Sequence, residues 1–598
     1  MERLRNPEDT LWYRVERHAE RWPDKPAIIY GDKEITWKEL NIRANRLANA
    51  LLDIGVKKGD KIAFILYNCP ENVEIHIACY KIGAIVVPIN YRFIDTEVQY
   101  IVENSDSTIL IIQEDFIQLA RSILPNLKEV KHCISVGKGV HVPSEMLDYE
   151  ELLKKYPGTK PELEWEVTPE DDCQILYTSG TTGYPKGSIW TQGAWAGNML
   201  STLPGLMESM LSKISDIPEG VVGGIGGLVP PPLSMMIRPS LIRGVGRLFH
   251  PPFIRRIAIL SAAQIVKRMT TLPMDIPVSF LQFTPLYHTN ASTMFHDLTL
   301  SLGIPIILLT SKGFDPKESM EVIDMRKPTI FTCVGDKFFK EIFALPNLDS
   351  YDTRSLITII SGGAKLSADV KKRAAEVFPN SMIIDFFGQT EAAGTMGQVT
   401  MPGEKEMEAT TWSKPDRSSY FDWRIVNDRG EDVKPGEIGE IVYKGYISRG
   451  YYKDSEKTAK TYKDGWFYSG DSVTIDEKGV IHPVSRVSEV INSGGEKIFP
   501  EEVEEVIHAH PKVNEVGVIG VPDPEWGESV LAVIQLKEGE KTTKEEIIEH
   551  CKQNMASFKK PRFIEFVDSL PLTEQAGKVI KASLRKKYAK KYEDMVGD

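Results

Sequence analysis

Tyr177-Thr178-Ser179-Gly180-Thr181-Thr182-Gly183-Tyr184-Pro185-Lys186-Gly187 follows the short apolar run Gln174-Ile175-Leu176 and gathers hydroxyls, glycines and one lysine into a single loop. Gly180, Gly183 and Gly187 permit positive φ and bring backbone N–H groups close to an anion, while Ser179, Thr181 and Thr182 add hydroxyl donors and Lys186 a mobile charge. Such a loop is built to hold polyphosphate. In a P-loop the lysine follows glycine and precedes Ser or Thr, whereas Lys186 lies between Pro185 and Gly187, so a strand–loop–helix NTPase is excluded. A polar surface linker is the plain alternative for any Gly/Ser/Thr cluster. A Pro-Lys-Gly exit so soon after an apolar strand is unusual for a linker.

At 598 residues and 42% hydrophobic, the chain can bury several cores and is expected to form more than one domain. A net charge of -12 argues against a nucleic-acid partner, which would call for a basic field. The charged start Met1-Glu2-Arg3-Leu4-Arg5 lacks the apolar core of a secretory signal, so a cytoplasmic protein is expected. Cys69, Cys79, Cys133, Cys173, Cys333 and Cys551 are scattered without a Cys-x-x-Cys pair, which suits reduced core thiols better than disulfides or zinc. The uncharged stretch from Gly220 to Ile237 is broken by glycines and by Pro230-Pro231-Pro232, so no transmembrane segment is read there.

Thr36-Trp37-Lys38-Glu39 has the form of a capping box opening a helix to about Ile54. Lys61–Tyr67 and Ala84–Pro88 read as strands around a helical Glu71–Ile82, and the short apolar runs at Thr108–Ile112, Pro305–Leu309 and Thr358–Ile360 read as strands buried between helix layers. After Arg486 the units become smaller: a helix from Pro500 through Val506, strands at Val513–Val521 and Val530–Leu536, a helix opening at Thr543, a strand at Arg562–Val567 and a helix from Lys581. The expected fold class is α/β, a large multi-layer N-terminal domain with mixed and parallel sheets, followed by a small α+β domain.

The loop from Tyr177 resembles the phosphate loop of the adenylate-forming superfamily, which includes acyl-CoA synthetases, luciferases and peptide-synthetase adenylation domains. Further segments resemble other parts of that family, in family order. Pro285-Leu286-Tyr287-His288 is similar to its Pro-x-aromatic-His segment, which implies that His288 lies near the acyl carboxylate. Ser361-Gly362-Gly363-Ala364 offers backbone that can lie flat against a base. Asp385-Phe386-Phe387-Gly388-Gln389-Thr390-Glu391 resembles Asn-x-Tyr-Gly-x-Thr-Glu. By that match Phe387 stacks on adenine, Asp385 accepts from its amino group, Thr390 contacts phosphate, and Glu391 holds Mg²⁺ with a loop hydroxyl such as that of Thr178. Gly465-Trp466-Phe467-Tyr468-Ser469-Gly470-Asp471 resembles the segment whose aspartate takes the ribose hydroxyls, and Arg486 the arginine that also meets ribose. The Gly494-Gly495 loop resembles the one that lines the pantetheine channel, and Pro571-Leu572-Thr573-Glu574-Gln575-Ala576-Gly577-Lys578 the terminal motif whose lysine reaches the α-phosphate.

The resemblance implies a carboxylic acid–CoA ligase using ATP, Mg²⁺ and coenzyme A, with Lys578, His288, Glu391 and Lys186 at the chemistry. It also implies a large domain of residues 1–486 and a mobile small domain of residues 487–598. Medium- or long-chain fatty acid is the expected substrate, with aromatic or alicyclic acids next; a stand-alone enzyme loading a carrier protein and a catalytically silent nucleotide binder are the alternatives. Two departures stand out. Ser488 occupies the hinge position where most relatives carry Asp or Lys, and the distance from Lys186 to His288 is roughly twice the expected one. That points to an insertion around residues 200–275. From Gly220 through Met274 it holds no Asp or Glu but carries Arg238, Arg243, Arg247, Arg255, Arg256, Lys267 and Arg268 among apolar residues. Peripheral contact with anionic membrane or CoA phosphates, a roof over an acyl tunnel, a packed embellishment and a subunit interface, as in a homodimer, are all open readings.

Overall fold

The computed structural model describes the chain apart from residues 1–3, 5, 138–141, 179–184, 200–277, 364–365, 403, 405–411, 414–420, 478, 487–488, 494–495, 524–526, 556, 558, 574–577 and 594–598. Two compact units emerge, Met1–Asp422 with Tyr443–Phe467, and Trp423–Val442 with Tyr468–Asp598.

The first unit is built on two sheets. In the seven-stranded sheet, Lys61–Ile65 lies between Ser107–Gln113 and Ile85–Pro88, parallel to both. Ile109, Leu110, Ile111 and Ile112 are all buried, as expected of a strand covered on both faces, and this is why such runs show no alternation of polar and apolar residues. The sheet ends in the antiparallel hairpin of Asp172–Thr178 with Lys186–Thr191. The eight-stranded sheet is parallel from Met382–Gln389 through Thr358–Gly362, Ile330–Cys333, Phe280–Gln282 and Ile306–Leu308 to Pro26–Tyr30. Antiparallel strands close both its edges, Ala392–Thr400 at one and Lys33–Thr36 at the other.

The capping box forms as the sequence dictates: Thr36 Oγ1 accepts from Glu39 N at 3.2 Å, Glu39 Oε2 accepts from Thr36 N at 2.9 Å, and the helix runs Trp37–Asp53. The helix Pro70–Ile82 starts with proline in its first turn and stops at Gly83, whose φ of 72° is cheap only for glycine. Nearly every residue of it is buried, so its polar side chains need internal partners. Arg43 Nε meets the buried Glu74 carboxylate at 2.6 Å and Tyr149 donates to it at 2.7 Å, while Lys81 pairs with Glu16 at 2.9 Å. Burial pushes the Glu74 carboxyl up and Arg43 opposes the shift, so truncating Arg43 would strand a buried charge.

In the second unit, Val513–Asp523 and Gly527–Leu536 form a long antiparallel pair, joined by Phe563–Val567 in parallel and by Ile491–Ser493 and Glu496–Ile498. The helices Pro500–His508 and Lys544–Asn554 cover a core that includes Ile491, Val503, Ile507, Val518, Ile534 and Ile547. A second antiparallel pairing joins Trp466–Ile475 to Val480–Arg486. All six cysteines are buried as free thiols, and no described helix is long and apolar enough to cross a membrane.

Candidate active site

Ser179, Gly180, Thr181, Thr182 and Gly183 of the phosphate loop lie outside the described residues; its stems do not. Thr178 and Lys186 are cross-strand partners at the mouth of the hairpin, so the loop joins two antiparallel strands rather than a strand and a helix. Gly187 is needed for that closure, because a Cβ there would come within 2.6 Å of Ile175 Cγ2 and 3.0 Å of the Tyr177 ring. Tyr177 is fixed in turn by donating its hydroxyl to Asn104 Oδ1 at 2.7 Å. The outer strand is then extended by residues far along the chain: Tyr452 N donates to Gly187 O at 2.8 Å, and Ile189 N to Gly450 O at 3.0 Å.

That pairing delivers Tyr451 to Glu391. Its hydroxyl donates to Glu391 Oε1 at 2.5 Å, and Ser448 N donates to Glu391 O at 2.8 Å. Thr390 is held on two sides, by the Trp190 indole N–H to its carbonyl at 3.0 Å and by Thr289 Oγ1 to its hydroxyl at 2.9 Å. The Lys186 ammonium shares this corner: burial and Lys457 lower its pKa, while Asp454 and Glu391 work the other way. A lysine at a phosphate loop and a carboxylate held by the Tyr451 hydroxyl, on a residue whose backbone is anchored by Ser448, form a set of hard donors and charge suited to a magnesium polyphosphate.

His288 caps the helix Thr289–Met294, its Nδ1 accepting from Asn290 N at 3.4 Å. Next to it is the turn after Thr358–Gly362. Asn290 Nδ2 donates to Gly362 O at 3.3 Å, and a Cβ on Gly363, whose φ is 86°, would lie 3.9 Å from His288 Cε1. A Cβ on Gly362 would stand 3.3 Å from Phe386 O, so glycine keeps open the space a flat base would need. Ala364 lies outside the described residues.

Asp385, Phe386, Phe387, Gly388 and Gln389 continue one strand, with Asp385 buried and the last four half-buried. The Phe386 ring turns to the side where Gly397 leaves room, a Cβ there falling 3.2 Å from Phe386 Cδ1. Asp385 and Phe387 share the other face. The Asp385 carboxylate lies 3.6 Å from the ammonium of Lys371, itself buried and donating to Gln398 Oε1 at 2.7 Å. Local sequence reading gave no sign of this partner.

In the second unit, Asp471 and Arg486 are direct cross-strand partners, which brings the two expected ribose residues together. Gly470, with φ 73°, sends its N–H to Glu440 Oε1 at 2.8 Å, and Asp471 N reaches Ser469 Oγ at 3.0 Å. Lys578 is exposed at the base of a hairpin. Its carbonyl accepts from Thr573 N at 2.7 Å, its N–H donates to Thr573 Oγ1 at 3.0 Å, and Leu572 bridges Val579. Pro571-Leu572-Thr573 and Lys578-Val579-Ile580 are thus paired through their backbones. Ser488, Gly494 and Gly495 lie outside the described residues.

The sequence profile of AMP-binding enzymes matches residues 15–213 and 257–452, and that of the AMP-binding enzyme C-terminal domain matches residues 502–578. The chain belongs to the AMP-binding enzyme family. Within the family it is 30% identical over 566 residues to a medium/long-chain-fatty-acid–CoA/3-oxocholest-4-en-26-oate–CoA ligase of Mycolicibacterium smegmatis, covering 92% of this chain and 91% of that one. It is also 30% identical over 573 residues to a feruloyl-CoA synthase of an Amycolatopsis species, covering 96% and 98%. Among solved members of the fold, ATP-bound MatB from Rhodopseudomonas palustris aligns over 98% of this chain and 99% of its own, with a TM-score of 0.74 and 22% identity. The sequence profile passes over residues 214–256, which overlap the stretch whose charge is anomalous.

Proposed function

We infer that the protein is an AMP-forming carboxylic acid–CoA ligase. The acid oxygen attacks the α-phosphorus of ATP and pyrophosphate leaves; the CoA sulfur then attacks the acyl carbon and AMP leaves. The observation that supports this best is the braced Thr390-Glu391 pair facing the same corner as Lys186, inside a family match that spans most of the chain.

Glu391 and Thr178 supply the oxygen ligands for Mg²⁺, which when bound neutralises phosphate charge that the departing pyrophosphate carries. Lys186 and the hydroxyls of the loop orient the β- and γ-phosphates. Phe387 offers its ring to adenine, with Gly362, Gly363 and Ala364 lying against the base and Asp385 as the acceptor for its amino group. Asp471 and Arg486 serve the ribose, and His288 stands by the acid carboxylate. Lys578 stabilises the charge that builds at the α-phosphate, and the Gly494-Gly495 loop serves CoA. Residues 1–486 and 487–598 are the functional domains, with Ser488 as the pivot between half-reactions.

A medium- or long-chain fatty acid is the proposed substrate. Similarity of equal degree to a feruloyl-CoA synthase favours an aromatic acid as the second reading. The cytoplasm follows from the use of ATP and CoA, and a homodimer is a state to test by sedimentation. Residues 220–274 are the proposed site of peripheral contact with anionic membrane; equal co-sedimentation with anionic liposomes after their deletion would remove that assignment. The central test uses Lys578→Ala. Acid-dependent ATP–pyrophosphate exchange is expected to fall on the order of a hundredfold or more, while thiolysis of supplied acyl-adenylate persists. Equal loss of both overturns the division of labour, and a panel of acids scored by pyrophosphate release identifies the cargo.

A further inference from the structure

Lys581, three residues past Lys578, has an ammonium surrounded by three carboxylates. Glu501 Oε1 lies at 2.9 Å, Glu504 Oε1 at 3.1 Å and Glu489 Oε2 at 3.2 Å, and the Lys581 side chain is only 9% exposed. The acids come from two places. Glu501 and Glu504 project from the helix Pro500–His508, whereas Glu489 directly follows the Val487-Ser488 step after Arg486. Arg585, one turn further along the helix Lys581–Glu593, donates to Glu489 O at 3.3 Å. Exposed lysine–carboxylate pairs have little net effect; three acids around one buried ammonium is a fastening.

The segment that leads into this clamp is fastened by packing as well. Val579 and Leu584 lie over Gly517, where a Cβ would come within 2.6 Å of Val579 Cγ1 and 2.8 Å of Leu584 Cδ1. Ile580 N donates to Pro571 O at 2.7 Å, which closes the hairpin on the other side of Lys578. The backbone of Lys578 is therefore held at Thr573 and at Val579, and the next anchor after it is the Lys581 ammonium. Three acids against one base leave excess negative charge: burial pushes the Glu504 carboxyl up to about 7, and the Glu501 carboxyl also moves up, with Glu501 Oε2 buried and lacking a hydrogen-bond donor. The same acids hold Lys581 firmly protonated.

We propose that Lys581 is a positioning residue for adenylation: its clamp ties the Lys578 segment to the segment that follows Ser488, so that the lysine and the segment after the pivot move as one body. The proposal rests on the reading of Lys578 as the adenylation lysine. In this role Lys581 acts through Lys578, its own ammonium being taken up by Glu489, Glu501 and Glu504. What they set is where Lys578 stands when the segment after residue 488 turns.

The test compares Lys581→Met, Lys581→Arg, Glu489→Gln and Lys578→Ala in the full chain, with ATP–pyrophosphate exchange and thiolysis of supplied acyl-adenylate as separate readouts. Lys581→Met is expected to lower kcat for exchange at least tenfold, with KM for ATP and acid within threefold and thiolysis within threefold of the parent. Lys581→Arg restores most of the exchange, and Glu489→Gln lowers it about fivefold at unchanged melting temperature. Unchanged exchange in Lys581→Met overturns the proposal, as does parallel loss of both half-reactions with a lowered melting temperature. Full exchange in Lys578→Ala overturns the reading beneath it and the proposal with it. Inactive Lys578→Ala beside fully active Lys581→Met removes the proposal alone.

Discussion

Tyr451 and Glu391, sixty positions apart in sequence, are joined by a hydroxyl-to-carboxylate hydrogen bond of 2.5 Å. Burial and the adjoining carboxylate both hold the proton on the Tyr451 phenol, so the tyrosine serves as a permanent donor. Partners that orient a metal-binding carboxylate typically affect metal affinity by ten- to a hundredfold. Tyr451→Phe is therefore expected to raise the Mg²⁺ concentration for half-maximal adenylation about tenfold, with kcat at saturating Mg²⁺ within about threefold of the parent. Titration of pyrophosphate release against Mg²⁺ checks it, and an unshifted midpoint would separate Tyr451 from the metal.

The contrast between Glu391 and its neighbours shows what the chain discloses locally. The capping box at Thr36 and the buried strands at Ser107–Gln113 and Thr358–Gly362 each follow from spacing or composition within a few residues. Resemblance added candidate roles at Lys186, Glu391, Asp471 and Lys578. Tyr451, Trp190, Ser448 and Lys371 escaped because their contacts are products of register. Tyr451 reaches Glu391 only once residues 449–452 have paired with Gly187–Ile189, and nothing in the sequence near either segment announces that pairing. Lys371 looks like one more helix-surface lysine until packing buries it against Asp385.

Gly517 sits where two side chains of the Lys578 region meet the sheet. Gly517→Ala would drive a methyl into the branched Val579 and into Leu584, and overpacking of this kind costs about 1–3 kcal/mol. Val579 is stiff at χ1, so relief comes by moving its strand. The expected outcome is a lower melting temperature together with faster amide hydrogen exchange across 571–584. Unaltered exchange in that segment would show that the space closes without strain.

Asp297 supplies the pH dependence. It lies on the π-helical segment Phe295–Ser301, is buried, accepts from Asn198 Nδ2 at 3.0 Å through Oδ2, and has no donor at Oδ1. Burial raises its carboxyl from 3.8 to about 7, against the pull of Asn198 and Arg14. Because the folded value lies above the unfolded one, the stability associated with the protonated form is fully present below about 3.8 and is lost as pH rises through about 7. The slope attributable to this group approaches about 1.4 kcal/mol per pH unit at most. Asp297→Asn, which keeps the shape and removes the titration, is expected to flatten the fall in denaturant midpoint between pH 5 and 8. An identical pH profile in the variant would assign that fall to other groups.

Lys371 and Asp385 allow stability and nucleotide recognition to be told apart. Removing one member of a buried ion pair typically costs 3–5 kcal/mol, because the remaining charge is left without compensation. Lys371→Met should accordingly destabilise the chain by about that amount and raise the KM for ATP, since the strand carrying Phe387 loses its support. Asp385→Asn in the same background removes the stranded charge while retaining an acceptor oxygen. If adenine's amino group is read by that oxygen, the double variant recovers both melting temperature and ATP affinity. Asp385→Leu in place of Asn would recover melting temperature alone. Recovery of ATP affinity by leucine as well would mean that the pair acts only as a brace for Phe387, and that adenine takes its specificity from elsewhere in the Gly362–Phe387 wall.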